Sequence, residues 1–186
     1  MESEGNSWSQ ASWAKRFAWL AGGLVVVFLL IQLVPYGHAH SNPPVTKAPK
    51  FANAQTEQLF DTSCGDCHSN LTEWKWYSYV APASWLVQSD VDEGRGIMNF
   101  SEWDKPQPAV DELVEQIRGG SMPPGKYTAL HSDAKLSDTE KQTLIDGLSG
   151  TYKADPPGGL KGGGKEASGG RYRIMGDEGR DGHRSR

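Results

Sequence analysis

Two cysteines three positions apart, followed directly by a histidine, constrain this chain more than any other feature. They are Cys64 and Cys67, with His68 next, and the 186 residues contain no other cysteine. The Cys-x-x-Cys-His pattern is a haem c attachment signature. Its two thiols add across the haem vinyl groups, and the adjacent imidazole becomes the proximal iron ligand. We therefore predict one covalent haem c held by these three residues.

Three other uses of the cysteine pair fit the sequence less well. A thioredoxin-like dithiol needs a strand before the motif and βαβ units around it, which the sequence lacks. A structural zinc site needs a second pair of ligands at suitable spacing, and no further cysteine exists. A disulfide between Cys64 and Cys67 is compatible with an exported protein but leaves His68 without a role.

The second axial ligand is predicted to be Met122. This residue follows Gly119-Gly120, which ends a helix, and precedes Pro123-Pro124, which stiffens a loop able to hold a thioether against the iron. Ligation by Met and His raises the reduction potential, as an electron carrier needs. His131, in a loop, is the main alternative. Met98 is a weaker one, because a Met in a helical segment more often fills core space.

An aromatic group after the motif is predicted to supply walls for a haem crevice. Such rings bury large areas and keep polar tips for propionates, although ordinary core packing explains them as well. The group consists of Trp74, Trp76, Tyr77, Tyr79 and Trp85. Arg95 and Lys126 are candidates to neutralise the propionates, and a surface ion pair explains either one equally well.

An uncharged apolar run near the N-terminus predicts a single transmembrane helix over residues 17–35. Residues 17–34 would span about 27 Å as a helix, close to the thickness of a hydrocarbon core. Lys15 and Arg16 precede the run, so residues 1–16 are expected in the cytoplasm. The chain would then be a single-pass protein of the inner (cytoplasmic) membrane, with its haem domain periplasmic or otherwise extracytoplasmic. A cleaved secretory signal is the alternative, but the run is long and no clean cleavage site follows it.

The rest of the chain divides into a linker, a domain and a tail. Residues 36–50 are rich in Pro and small polar residues and predict an extended tether. Residues 51–150 form the predicted haem domain. Residues 151–186 are rich in glycine and cannot bury a core of their own, so we expect an extended tail that a partner orders.

Helical spacing of apolar residues predicts an all-α domain without strands. Helices are expected over residues 51–63, 82–99 and 108–117, and a last one through Leu148. Ser137 followed by Glu140 forms a capping box at the start of the last helix. Within the domain, 16 acidic residues outnumber 7 basic ones. This excess argues against nucleic-acid binding and suits a basic protein partner.

Several segments together resemble the haem-binding domain family of small monohaem c-type cytochromes, with a match over roughly residues 55–148. The segments are Cys64–Asn70, Trp74–Pro82, Ser84–Val87, Asp90–Arg95, Asn99–Trp103, Met122–Pro124 and Leu130–His131. The resemblance implies a cytochrome c-like fold, with His68 as proximal ligand and Met122 in the family's Met-Pro-Pro element. The membrane helix and the tail lie outside the resemblance.

These features predict a membrane-anchored electron carrier, and not an enzyme in its own right. We expect it to pass single electrons between a donor and an acceptor carrier, as a subunit of a larger respiratory or photosynthetic membrane complex in the lipid bilayer. One alternative is an assembly role, in which the anchor and the tail clamp that complex. A less favoured one is peroxidase-like or gas-binding haem chemistry, which needs an open sixth position.

Overall fold

The computed structural model of the protein describes residues 7–161, and their side chains from residue 13 onward. The first element, α1, runs from Ser7 to Ile31. Its segment Trp13–Ile31 is long and apolar enough to cross a membrane, and none of it is buried against the rest of the protein. The helix ends four residues before the expected Pro35. The side chain of Gln32, just past this end, is hydrogen-bonded to the domain at Ala81.

The domain is mostly helical, as the apolar spacing predicts. Its helices are α2 (Ala54–Phe60), α3 (Asp66–His68), α4 (Ala83–Ile97), α5 (Val110–Arg118), α6 (Gly125–Thr128) and α7 (Asp138–Ala154), with single helical turns at Trp76–Tyr79 and Ser132–Ala134. The capping box is confirmed, because the Ser137 side chain accepts from the Glu140 backbone N–H while the Glu140 side chain binds the Ser137 N–H.

The core lies where α2, α5 and α7 meet the segment after α4. Its buried side chains are Phe60, Met98, Phe100, Trp103, Leu113, Ile117, Leu136, Leu144, Ile145, Leu148 and Tyr152. Helices α2 and α7 touch at Gly147, where a Cβ atom would collide with the Thr56 side chain. The Ala52 N–H also donates to Thr151 Oγ1 at 3.0 Å. These contacts fix the helix that leads into the cysteine motif.

Two short parallel strands close the domain, although the sequence predicts none. They are β1 (Pro106–Gln107) and β2 (Gly159–Leu160). A strand of two residues shows no alternating pattern, so periodicity could not reveal it. Helix α7 also continues to Ala154. The packed part of the chain therefore passes the predicted boundary at Gly150 and reaches Lys161, whereas residues 162–186 of the predicted tail, like residues 1–6, lie outside the described part.

The chain over residues 36–50 contains no helix and is hydrogen-bonded along the domain. The His40 ring donates to the Ser78 carbonyl at 2.7 Å, and the Thr46 N–H donates to the Ser101 carbonyl at 2.9 Å. Trp103 N–H donates to the Lys47 carbonyl at 2.9 Å. Because these bonds are spread along the linker, the linker lies against the surface of the domain over most of its length.

Candidate functional site

The cysteine motif lies inside one continuous helical run over residues 54–68. Asn53 caps the run by accepting from the Thr56 N–H at 2.8 Å. The helix then widens into a π-helical turn at Asp61–Gly65 and ends in α3. A π turn inserts one extra residue into a helix, and such turns are frequent at functional sites. The sequence predicts the helix before the motif but not the widened turn that holds Cys64.

Both cysteines are free, half-buried thiols. Burial, with smaller contributions from Cys67 and Asp61, raises the pKa of Cys64 to about 12. Burial, with Asp90 and Asp66 next, raises the pKa of Cys67 to about 11. A thioredoxin-like nucleophile has the opposite property, a lowered thiol pKa. Within residues 13–161 no group of three or more metal-ligating side chains is present, so the zinc alternative also gains no support there.

Two backbone carbonyls hold the ring of His68 at one nitrogen. Its Nδ1 atom lies 3.0 Å from the Gly94 carbonyl oxygen and 3.2 Å from the Met98 carbonyl oxygen. Carbonyls only accept, so Nδ1 carries the proton and Nε2 keeps its lone pair. Burial lowers the pKa of His68, which favours the neutral ring. A ligating histidine is commonly oriented in this way by a carbonyl on its other nitrogen.

Helix α4 packs against α3 at a glycine. A Cβ atom on Gly94 would lie 2.5 Å from the Cys67 carbonyl oxygen, so no side chain fits there. The same residue supplies the closer of the two carbonyls to His68. The sequence shows Gly94 only as a weak point near the end of a helix, and we predicted no role for it at the site.

The candidates for the second axial position have different surroundings. Met122 is half-buried in the loop between α5 and α6, where its N–H donates to the Gln116 carbonyl at 3.2 Å. Met98 is buried in the core cluster. His131 has both ring nitrogens bonded, since Nδ1 donates to the Tyr127 carbonyl at 3.0 Å and Nε2 accepts from the Tyr77 hydroxyl at 3.0 Å. To bind iron, His131 would have to give up one of these two hydrogen bonds.

Two of the three tryptophans predicted to line the crevice, Trp76 and Trp85, differ in exposure. Trp76 is 78 % exposed, and its role as a wall of the crevice stays a prediction. Trp85 is half-buried, and its indole Nε1 is buried without a hydrogen-bond partner among the described residues. A buried indole donor without a partner is costly, and a carboxylate is a suitable acceptor. Trp85 therefore fits the predicted role next to a haem propionate.

Arg95 makes four hydrogen bonds within the protein. Nε donates to the Ser69 carbonyl at 2.8 Å, just after the motif, and one terminal nitrogen donates to the Ser41 carbonyl of the linker at 2.8 Å. The other terminal nitrogen donates to Asn42 and Thr72. Since an arginine has five N–H donors, one remains for the predicted propionate contact. Lys126 instead pairs with Asp90 at 2.7 Å on the surface.

A polar cleft borders the motif on the side of Asp66. The Tyr127 hydroxyl donates to Asp66 Oδ2 at 2.9 Å, and the Tyr127 ring stacks on His131 with 4.0 Å between centroids. The cleft is lined by Asp61, Thr62, Gly65, Asp66, Ser69, Leu71, Glu73, Lys75, Tyr127, His131 and Asp133. The lining includes none of Cys64, Cys67, His68 and Met122. Sequence reasoning missed Asp66 and Tyr127, whose pairing depends on positions 61 residues apart.

Comparison with known proteins adds two findings. The sequence model described as "Haem-binding domain" matches residues 26–150. The chain is also 28 % identical over 134 residues to the cytochrome c peroxidase Ccp of Escherichia coli (strain K12), a match that covers 64 % of this chain and 29 % of that relative. The chain thus spans less than a third of the length of this relative. No solved structure matches the chain.

Proposed function

Because this chain belongs to the haem-binding domain family, we propose that it carries one haem c, bound covalently through Cys64 and Cys67 with His68 as proximal ligand. The observation that carries this proposal is the oriented, neutral imidazole of His68 on the same helical run as two free thiols. Each thiol would be consumed in a thioether bond. Met122 would supply the second protein ligand to the iron.

The proposed activity is one-electron transfer. Haem iron supplies a couple between ferrous and ferric states, and its potential depends on axial ligands, hydrogen bonding and burial. The protein's own residues set these conditions. The carbonyls of Gly94 and Met98 fix the ring of His68, and the indole Nε1 of Trp85 is the candidate donor to a propionate.

The proposed setting is a membrane. Helix α1 would cross the inner membrane once, with its N-terminal end in the cytoplasm and the haem domain on the periplasmic side. The length and apolar composition of Trp13–Ile31 support this arrangement. Electrons would pass between a membrane complex and a neighbouring or soluble carrier, with this chain as a subunit of the complex.

Spectroscopy of the purified full chain tests the proposal. We expect haem that survives denaturing electrophoresis and a reduced spectrum of six-coordinate, low-spin iron. The Cys64→Ser, Cys67→Ser double variant should lose the covalent haem, whereas Ser63→Ala, next to the motif, should retain it. Haem lost from the wild type on denaturation would contradict covalent attachment. A five-coordinate, high-spin reduced spectrum would contradict the electron-carrier assignment.

Peroxide reduction is a second candidate, because the matched relative is named a cytochrome c peroxidase. It requires a sixth position that peroxide can occupy. Measuring peroxide consumption by the reduced wild-type chain, with Met122→Ala alongside, separates the two functions. Turnover by the wild type favours the peroxidase, whereas turnover only after Met122→Ala favours the electron carrier.

A further inference from the structure

The segment after the motif contains an uncharged stretch that is hydrogen-bonded to the residue at the end of the membrane helix. Residues 76–89 include no Asp, Glu, Lys, Arg or His. Four of the larger side chains in this segment are exposed: Trp76 by 78 %, Leu86 by 61 %, Tyr79 by 54 % and Val80 by 37 %. We call these four residues the aromatic collar. Exposed Trp and Tyr side chains are characteristic of the membrane–water interface.

Gln32 fixes this segment to the end of α1. Its side-chain oxygen accepts from the Ala81 N–H at 2.9 Å, and its side-chain nitrogen donates to the Ala81 carbonyl at 3.1 Å. The same nitrogen also donates to the Phe28 carbonyl within α1 at 3.0 Å. Ala81, which follows Val80 of the collar, therefore lies within one side-chain length of the membrane helix.

A second contact holds the segment close to the chain that leaves α1. Gly37 passes so near α4 that a Cβ atom on it would lie 2.7 Å from the Ser84 carbonyl carbon. Its φ of +84° is also a conformation that favours glycine. Five residues beyond Gln32, the backbone thus meets the first turn of α4. The two contacts hold Ala81 and Ser84, which lie between Val80 and Leu86 of the collar, beside the chain at the end of α1.

We propose that the aromatic collar is a second membrane contact, which lies in the headgroup region of the bilayer that α1 spans. This inference rests on the membrane-spanning role proposed for α1. Trp76 and Tyr79 supply amphipathic rings suited to that depth, and Leu86 and Val80 supply apolar area that lipid would cover. The domain then has a fixed orientation on the membrane, and a lipid surface, rather than a protein, covers the collar.

The reactivity of single cysteines tests this inference in the full haem-loaded chain. The protein is placed in phosphatidylcholine nanodiscs and treated with a charged, membrane-impermeant maleimide. Leu86→Cys and Trp76→Cys report on the collar, and Leu24→Cys reports on α1. Ile97→Cys is the matched control, because Ile97 lies on the same helix as Leu86 and is similarly exposed, by 51 %. Each rate is divided by the rate of the same variant after unfolding in detergent.

We expect both collar positions to react at least about tenfold more slowly than Ile97→Cys, because a charged reagent would have to leave water to reach a thiol covered by lipid. Leu24→Cys should be unreactive. Collar rates equal to the Ile97→Cys rate, with Leu24→Cys protected, would overturn the inference and leave the membrane anchor intact. Equal protection of Ile97→Cys would also overturn it, because the contact would not be specific to the collar.

Two further outcomes separate this inference from the proposed function. A reactive Leu24→Cys would show that α1 is not in the bilayer, and the inference would fail with the anchor. The wild-type chain tests the haem separately, because thioether-bound cysteines take up no maleimide. Labelling of Cys64 and Cys67 in the unfolded wild type would contradict covalent haem while the collar result still stood.

Discussion

His68 Nδ1 donates to the carbonyl oxygen of Gly94 at 3.0 Å, so the imidazole is oriented by the same residue at which α4 touches the motif helix. Gly94 thus contributes to the site in two ways. Its backbone supplies an acceptor, and its missing side chain lets the acceptor come close. A change at this position should affect the packing of the two helices and the orientation of the ring together.

Gly94→Ala is expected to destabilise the folded domain by about 1–3 kcal/mol, the usual cost of forcing extra volume into a packed contact. The added methyl would lie 2.5 Å from the Cys67 carbonyl oxygen, so α4 must move. Urea unfolding of the haem-loaded chain, followed by circular dichroism, measures the change. Gly96→Ala is the matched control, because its Cβ would have nothing within 4 Å. Its greater helix propensity should stabilise the protein by up to about 1 kcal/mol. Equal effects of the two substitutions would contradict the packing argument.

The importance of Gly94 could not be predicted from the sequence, although much around it could. The Cys64–His68 motif and the Ser137 capping box are local patterns with a fixed spacing, and each predicts its own structure. Whether a position must be glycine depends on which helix packs against it and how closely. The contact between residues 67 and 94 is made in the tertiary fold, which no window of sequence contains.

The burial of the individual aromatic residues could not be predicted from the sequence for a related reason. A cluster of tryptophans predicts burial, because large rings usually contribute to a core. Whether one ring is buried depends on which side of the fold it faces. Trp85 and Trp76 therefore look alike in the sequence, although Trp76 is exposed and the indole Nε1 of Trp85 is buried. The strand at Gly159–Leu160 could not be predicted because two residues are too few to show an alternation of apolar and polar side chains.

Met122→Ala is expected to lower the reduction potential and to convert the reduced haem spectrum to high spin, since a thioether ligand would be lost. Redox titration and visible absorption measure both changes. His131→Phe is the control, because it keeps the ring that stacks on Tyr127 but removes both ring nitrogens. An unchanged spectrum in Met122→Ala would contradict ligation by Met122, and a spin change in His131→Phe would indicate that His131 is the ligand.

Asp155 should make stability dependent on acidic pH. Its carboxylate accepts from the Lys50 N–H at 2.9 Å and from Lys47 Nζ at 3.3 Å, and the Lys50 N–H is the larger cause of its lowered pKa. A lowered pKa in the folded state means that the contribution is complete above the unfolded value of 3.8 and is lost as the pH falls through the folded value.

The Asp155→Asn variant tests this dependence. The wild type should be more stable than the variant at pH 6, and the difference should shrink toward zero as the pH falls below about 4. Urea midpoints of the detergent-solubilised chain across this range give the measurement. A stability difference that stays constant with pH would show that the carboxylate charge contributes nothing.

Two truncations should differ sharply in stability because the packed chain continues past Gly150. Ending the chain after Lys161 keeps β2 and the bonds of Lys161 Nζ to the carbonyls of Gly96 and Ile97, at 2.9 and 2.5 Å. Ending it after Gly150 also removes Thr151 and Tyr152, both buried, and with them the acceptor for the Ala52 N–H. Loss of a buried aromatic side chain alone typically costs about 3–5 kcal/mol. The shorter chain should therefore unfold at a much lower temperature or fail to retain haem, as thermal unfolding and haem staining will show. Equal stability of the two chains would contradict the packing of residues 151–161. Only the chain that ends after Lys161 can test whether the glycine-rich tail holds a membrane complex together, because it keeps the packed residues.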